Sequence, residues 1–239
     1  MTRQIPKTSF KRSKLFGNVS FVIFKIALSA AILFYLIKNI GFESILGKFI
    51  DIDPILLLVA ILIETLSVYL AAQKWRIALR VFDIKVSLRF SLANVYFGNF
   101  VNQVLPSNLG GDVVRAWRLH GLGTSIGRSV SGVVVDRVAA LVGLAMVVLI
   151  TLPLAYQIIL DLKAYIVLVG IVLAVFAGFI AILVLDHATR LTPFIPEKIK
   201  QEAAKLGEPV RMLFLTRRYA ISTLGLAMLI HFLTALMVL

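Results

Sequence analysis

The residues best suited to bind a ligand lie in a polar stretch from Asn99 to His120, inside an otherwise apolar chain. Two adjacent glycines, Gly110 and Gly111, allow the backbone to approach a ligand closely. Free N–H groups at a helix start there, supplemented by Arg115 and Arg118, would bind an anion such as a lipid phosphate. The alternative is that the glycines only form a turn while the arginines fix membrane topology. Both interpretations stay open at this stage.

Further polar side chains flank these arginines. Asn102 and Gln103 precede the glycines, Asp112 follows them, and Asp136 with Arg137 stands at the head of a later apolar block. Charged groups at membrane depth should face protein or water. We therefore expect all five residues to contribute to a headgroup-binding site, with the two aspartates orienting the cations.

The pairing of Asp136 has more than one interpretation. Arg137 could contact a phosphate while Asp136 orients it, or Asp136 could form an ion pair with Arg115. A buried pair that only holds helices together is an equally good explanation.

Glu64 lies near the middle of a second apolar block, where an ionised carboxylate is costly. It should be protonated, paired with a basic group or turned towards a hydrated cavity. A proton-linked role is one interpretation, and a hydrogen bond to a neighbouring helix is the other.

Metal or hydrolytic catalysis has no sequence support. The histidines are scattered, the chain contains no cysteine, and no nucleophile stands beside a base. We expect no cofactor, no metal and no enzymatic activity. An intramembrane lipid-modifying enzyme is the weaker alternative, and it would require Asp112 and Asp136 to converge as an acid/base pair.

The surrounding elements are predicted to be membrane-spanning helices. The 239 residues are 60% hydrophobic and 15% charged, with a mean hydropathy of +0.96. Apolar blocks about 20 residues long suit helices that cross about 30 Å of hydrocarbon. We predict an all-α transmembrane bundle with about five full spans: Val19–Ile37, Pro54–Ala72, a third centred on Val138–Leu152, Ala164–Leu185 and Tyr219–Leu239.

Loop charge predicts the topology. The net charge of +13 is concentrated in a few loops beside the apolar blocks, which indicates contact with anionic lipid and not with nucleic acid. Residues 1–18 form a basic cytoplasmic tail, and 19–239 form one transmembrane domain. Residues 190–218 form a cytoplasmic amphipathic linker. Segment 91–106 is too short to cross, at about 24 Å, and every basic loop is cytoplasmic if it re-enters.

Several of these residues also carry a resemblance to a known family. The run from Asn102 to Pro106, Gly110-Gly111-Asp112 with Arg115, and Val135-Asp136-Arg137 resemble the lysylphosphatidylglycerol synthase transmembrane region, or flippase-like domain, family. The resemblance implies lipid handling without the soluble domain that transfers the aminoacyl group. Members generally run longer, with further spans and a second re-entrant element, so we expect a shortened member.

Together these features predict a multi-pass protein of the cell (plasma or inner) membrane. It would bind and translocate an anionic or aminoacylated phospholipid, or a related lipid-linked substrate, between leaflets. The rival hypothesis is a membrane scaffold that presents lipid to a separate synthase or glycosyltransferase. Expected partners are membrane lipids, a lipid-modifying enzyme and further copies of the chain, and not nucleic acid.

Overall fold

The computed structural model describes residues 52–104, 109–158, 161–191 and 207–238, together with scattered positions between 29 and 47. The chain divides into two compact units, Met1–Leu57 and Leu58–Leu239. The predicted basic tail lies outside the described residues, and only scattered helical positions represent the predicted first span. The candidate site lies in the second unit.

The described elements are all helical, as predicted, and the part of the chain that the structure describes contains no strand. A helical segment, 207–215, covers part of the predicted linker, whose residues 192–206 lie outside the description. The helices are α1 (Pro54–Arg80), α2 (Leu88–Val104), α3 (Gly110–His120), α4 (Ile126–Ile158), α5 (Leu162–Leu191) and α6 (Arg217–Val238).

Four of these helices, α1, α4, α5 and α6, are long and apolar enough to cross a membrane. They coincide with the four predicted spans that follow the first. Two begin with an acidic cap: the Asp53 carboxylate accepts the N–H of Ile55 at 2.7 Å, and that of Asp161 accepts the N–H of Lys163 at 2.9 Å. Such caps satisfy donors that have no partner within the helix.

Helix α4 extends well beyond its predicted apolar centre. It begins at Ile126 and continues through Asp136 and Arg137, for 33 residues in all. Charged residues of this kind would normally favour a helix end at the membrane surface. Here both have ion-pair partners on neighbouring helices, so the helix continues without exposing an unpaired charge to lipid.

Helices α2 and α3 form a hairpin, and the start of α2 lies at the same end of the bundle as the end of α3. The N–H of Gly111 donates to the Asn102 side-chain oxygen at 2.7 Å, which joins the two helices. At the open end, Arg128 donates to the carbonyl of Phe82, so the chain before α2 meets the chain after α3. This is the geometry that the re-entrant prediction requires, and its depth in a membrane stays a prediction.

The core of the second unit lies beside this hairpin. Trp75 and Leu79 of α1 pack with Leu119 of α3, Val135 of α4 and Leu213 of the segment 207–215, and all five are fully buried. Elements that are distant in sequence therefore meet in one core cluster. The polar side chains described next lie at the edge of this core.

Candidate functional site

Asp136 is the centre of a buried ion-pair cluster that joins three helices. Its carboxylate lies 2.5 Å from the Lys74 ammonium of α1 and 3.1 Å from the Arg115 guanidinium of α3. Lys74 also donates to the Asp136 backbone carbonyl at 3.1 Å. The three residues are between 5% and 7% exposed, so each charge depends on the others for its stabilisation.

Asp112 and Arg137 extend this cluster towards the surface. Arg137 donates two hydrogen bonds to the Asp112 carboxylate, from Nε and Nη2, each at 2.7 Å. The same carboxylate lies 3.5 Å from Arg115. The Asp112 side chain is 14% exposed and that of Arg137 is 50% exposed. We use "ion-pair cluster" for Lys74, Asp112, Arg115, Asp136 and Arg137.

Arg115 is also held by groups without charge. Its guanidinium carbon lies 4.9 Å from the centre of the Trp75 ring, a cation–π distance. Its backbone carbonyl accepts a hydrogen bond from the Asn94 amide at 3.3 Å. Because one face of the guanidinium covers an indole and one edge meets carboxylates, Arg115 is fixed in orientation.

The ion-pair cluster borders a cavity of about 250 Å³ between α1, α2, α3, α4 and α6. Four of the five cluster residues line it, and Asp112 is the exception. This volume is below the usual range for drug-sized pockets, so it suits a polar headgroup and not a whole lipid. Other polar lining residues are Glu64, Ser67, Asn99, His231 and Thr234.

A larger cavity of about 830 Å³ lies at the open end of the hairpin, between the turn after α1, the start of α4 and the segment 207–215. Its charged lining residues are Asp83, Arg128 and Glu208, and Arg128 is already bonded to the Phe82 carbonyl. We place the candidate site in the smaller cavity because that cavity brings together several residues predicted from sequence.

Five of those predicted residues meet in or beside the smaller cavity. Arg115, Asp136, Arg137 and Glu64 line it, and Asp112 holds Arg137. Asp136 pairs with Arg115, as one of the two interpretations had it. Asp112, and not Asp136, orients Arg137. Glu64 is turned towards the cavity, which was one of its three predicted environments.

Arg118 lies elsewhere. It donates to the Ala93 carbonyl at 3.2 Å, and its guanidinium lies over the Phe90 and Phe97 rings of α2. Three positions separate it from Arg115 on one short helix. The two arginines nevertheless have different partners, because α3 is in contact with α2 on one side and α4 on the other.

The remaining predicted residues belong to the hairpin. Asn102 binds the Gly111 N–H, so that donor is occupied and not available to an anion. Gly111 is buried against Gly98, where a Cβ atom would overlap the Gly98 carbonyl oxygen. Gly110 starts α3, and the Gln103 side chain is exposed. Asn102 and Gly111 have a clear packing role. Ligand binding by these two residues, by Gly110 or by Gln103 stays a prediction.

Lys74 is the main residue that sequence reasoning missed, because it follows the predicted span Pro54–Ala72 and was therefore assigned to a basic loop. A signal was present, since Glu64, Ser67, Ala71 and Lys74 follow a helical spacing that places them on one face of α1. His231 was also set aside, yet its ring nitrogen lies 3.0 Å from the Ala140 carbonyl at the cavity wall.

The charge of the ion-pair cluster favours an anion. It contains three cations, Lys74, Arg115 and Arg137, against two carboxylates, which leaves one positive charge. Among the described residues, no group of three or more histidine, aspartate or glutamate side chains could hold a metal ion. The arrangement suits a negatively charged group, and Asp112 and Asp136, the pair that an acid/base mechanism would use, are both ion-paired.

Comparison with known proteins gives one match. The family model for the lysylphosphatidylglycerol synthase TM region matches residues 22–201, which is about three quarters of the chain. This range contains the whole ion-pair cluster and the hairpin, and it ends before α6. No curated protein and no solved structure matches the chain significantly.

Proposed function

Because this chain belongs to the lysylphosphatidylglycerol synthase transmembrane-region family, we propose that it binds an anionic phospholipid headgroup and moves the lipid between leaflets. Aminoacylated phospholipids and related lipid-linked compounds fall within the same proposal. The protein is a multi-pass membrane protein of a lipid-related family. The lipid would be the cargo and would leave chemically unchanged.

The exposed edge of Arg137 is the observation that carries this proposal. Nε and Nη2 are bonded to Asp112, which leaves Nη1 of the half-exposed guanidinium for a further acceptor, and Arg137 lines the cavity. A guanidinium fixed by one carboxylate can offer its second edge to a phosphate with little further loss of conformational entropy. The cavity size then selects the headgroup, while the acyl chains stay in the bilayer.

A polar cavity between helices also provides what translocation requires. A charged headgroup cannot cross hydrocarbon unless a polar or hydrated path replaces its water shell. The cavity extends along α1 from Lys74 to Glu64, ten residues or about 15 Å of helix. The sequence contains no P-loop, so we propose passive exchange or coupling to a gradient.

Lipid binding and movement can be tested with the purified full chain in vesicles that contain no other protein. Labelled anionic phosphatidylglycerol in one leaflet should exchange faster than in empty vesicles. Arg137→Gln should lower both binding and exchange, because it removes the free guanidinium edge. Arg89→Gln is the matched control, since it deletes the same charge from an exposed position on α2. Equal effects of both variants would contradict a specific site.

A second variant should have the opposite effect on the affinity for anionic lipid. Glu64→Gln removes a carboxylate from the cavity wall, so anionic lipid should bind at least as tightly as to the unmodified chain. Weaker binding would show that Glu64 serves the ligand and does not oppose it.

The scaffold hypothesis makes a different prediction for the same experiment. A protein that only presents lipid to a separate synthase or glycosyltransferase would bind phosphatidylglycerol through Arg137 and leave the transbilayer rate unchanged. Recovering the lipid afterwards and finding it chemically intact would support the non-enzymatic assignment.

A further inference from the structure

Helix α3 has two faces of opposite character. Its inner face buries Gly111, Arg115 and Leu119 against the rest of the second unit. On the other face, Val113 is 67% exposed and Trp117 is 69% exposed, and Leu109, just before the helix, is 71% exposed. Because residues four apart lie on one side of a helix, these three form a continuous apolar stripe. We call it the α3 stripe.

A membrane-spanning role of α3 does not explain the α3 stripe. With 11 residues, the helix is about 16 Å long, roughly half the thickness of the hydrocarbon layer. It is not among the four candidate spans. Further exposed apolar residues lie on the neighbouring elements, namely Tyr96, Phe97 and Phe100 on α2 and Leu122 and Ile126 after α3. A patch of this kind needs an apolar partner.

We infer that the α3 stripe contacts membrane lipid, with Trp117 at the headgroup level and Leu109 deeper among the acyl chains. Charge supports this order, because Arg118 lies in the last turn of α3 and Arg128 follows the helix. Cationic side chains and tryptophan both favour the membrane interface. Leu109 lies eight residues from Trp117, about 12 Å along the axis.

This placement gives α3 a role between lipid and site. The helix would contact lipid through Val113 and Trp117 while its opposite face holds Arg115 in the ion-pair cluster. A helix with its side chains is only about 10 Å across. Lipid at the stripe would therefore lie within one helix diameter of Arg115, whether or not the protein translocates it.

The two tryptophans of the chain make a direct test possible. Trp75 is completely buried and Trp117 is mostly exposed, so their responses to a quencher in the lipid should differ. The full chain would be placed in vesicles of phosphatidylcholine with brominated acyl chains and compared with unbrominated vesicles. Trp75→Phe, which keeps only Trp117, should lose most of its emission. Trp117→Phe, which keeps only Trp75, should lose little.

Trp75 contacts Arg115 and Phe90, so Trp75→Phe could fail to fold. In that case the difference between the unmodified chain and Trp117→Phe gives the Trp117 signal and tests the same inference. A spin label on Val113→Cys provides an independent measurement, because the chain has no native cysteine. The label should be more accessible to oxygen than to a polar nickel complex, and a label on Lys85→Cys, in an exposed loop, should show the reverse.

Two results would overturn the inference. Quenching of Trp117 by aqueous iodide and not by bromine would place the α3 stripe in water. Protection from both quenchers, together with disulfide-linked dimers of Val113→Cys, would instead make the stripe an interface between copies of this chain. Neither result would affect the Arg137 experiment, so the two proposals fail separately.

Discussion

At the scale of single residues, Asp136 decides how the site is built. One carboxylate forms ion pairs with two buried cations, Lys74 and Arg115, which come from different helices. Burying charges costs several kcal/mol per ion unless partners are close and well oriented. Loss of one group from the cluster therefore leaves other buried charges unpaired. Arg137 is the member that has both a fixed orientation and an exposed edge.

Asp136→Asn should destabilise the protein strongly. Removing one partner from a buried ion pair costs about 3–5 kcal/mol, because the remaining charges stay buried. Thermal unfolding of the full chain in detergent, followed by circular dichroism, should show a clear drop in the midpoint. Asp83→Asn is the matched control, since Asp83 is exposed and its φ of 57° suits asparagine. A similar drop for both variants would contradict the role of the buried pair.

The double variant Lys74→Met/Asp136→Asn separates charge from packing. It deletes one of the two cations that Asp136→Asn leaves unpaired, while methionine keeps a side chain of similar length. Its unfolding midpoint should lie above that of Asp136→Asn alone. A fully additive loss would show that the two residues contribute independently.

At the scale of elements, the α2/α3 hairpin carries the site. Its helices approach closely where Gly98 faces Gly111, and Asn102 ties the crossing through the Gly111 N–H. A side chain larger than hydrogen at Gly111 would separate the helices and move Arg115, four residues later, away from Asp136. At Gly111 the backbone closely approaches another helix, and a close approach to a ligand stays a prediction.

Gly111→Ala should lower stability and weaken lipid binding together. Its Cβ would lie 2.7 Å from the Asn102 side-chain oxygen and would overlap the Gly98 carbonyl, so backbone must shift. Gly170→Ala is the control, because nothing lies within 4 Å of a Cβ at that position on α5. Since alanine favours helix by roughly 1 kcal/mol over glycine, the control should be neutral or stabilising. Thermal unfolding and lipid binding measure both variants, and an unchanged Gly111→Ala protein would contradict the tight crossing.

The hairpin also predicts where its two ends lie. Single cysteines at Lys85, before α2, and at Gly127, after α3, should react with a membrane-impermeant maleimide from the same side of the membrane. Both positions are exposed, and the contact between Arg128 and Phe82 joins these regions. Labelling from opposite sides would mean that α2 crosses the membrane alone and would refute the re-entrant prediction.

At the scale of the whole molecule, loop charge predicts the membrane topology. The turn after α1, the start of α4 and the segment 207–215 border one cavity, so these connections lie at one end of the second unit. Lys85, Arg128 and Arg211 lie in these connections, whereas Asp53 and Asp161 stand before α1 and between α4 and α5. The positive-inside rule therefore predicts that these connections are cytoplasmic.

Accessibility in spheroplasts tests this topology. Cysteines at Asp53 and Asp161 should be labelled from outside the cell membrane, and cysteines at Lys85 and Glu208 only after permeabilisation. All four positions are exposed, so a lack of reaction would not result from burial. The reverse pattern would place the N-terminus outside and would contradict the predicted orientation in the cell membrane.

Much of the architecture follows from the sequence by itself. The bilayer fixes the length of a spanning helix, so apolar blocks of about 20 residues were sufficient to predict α1, α4, α5 and α6. The short segment 91–106 likewise predicted an element that cannot cross alone. Both are local properties, which hydropathy and length capture without knowledge of any partner. The predicted first span and most of the linker remain predictions.

Only the tertiary structure decided which charged residues meet. Lys74 and Asp136 are 62 positions apart, and helix packing alone brings their side chains to 2.5 Å. The structure likewise assigned Asp112 to Arg137 and Arg118 to the aromatic rings of α2. A sequence shows that a buried charge needs a partner, because burial without one is too costly. It does not show which partner, since that depends on the rotation and crossing point of each helix.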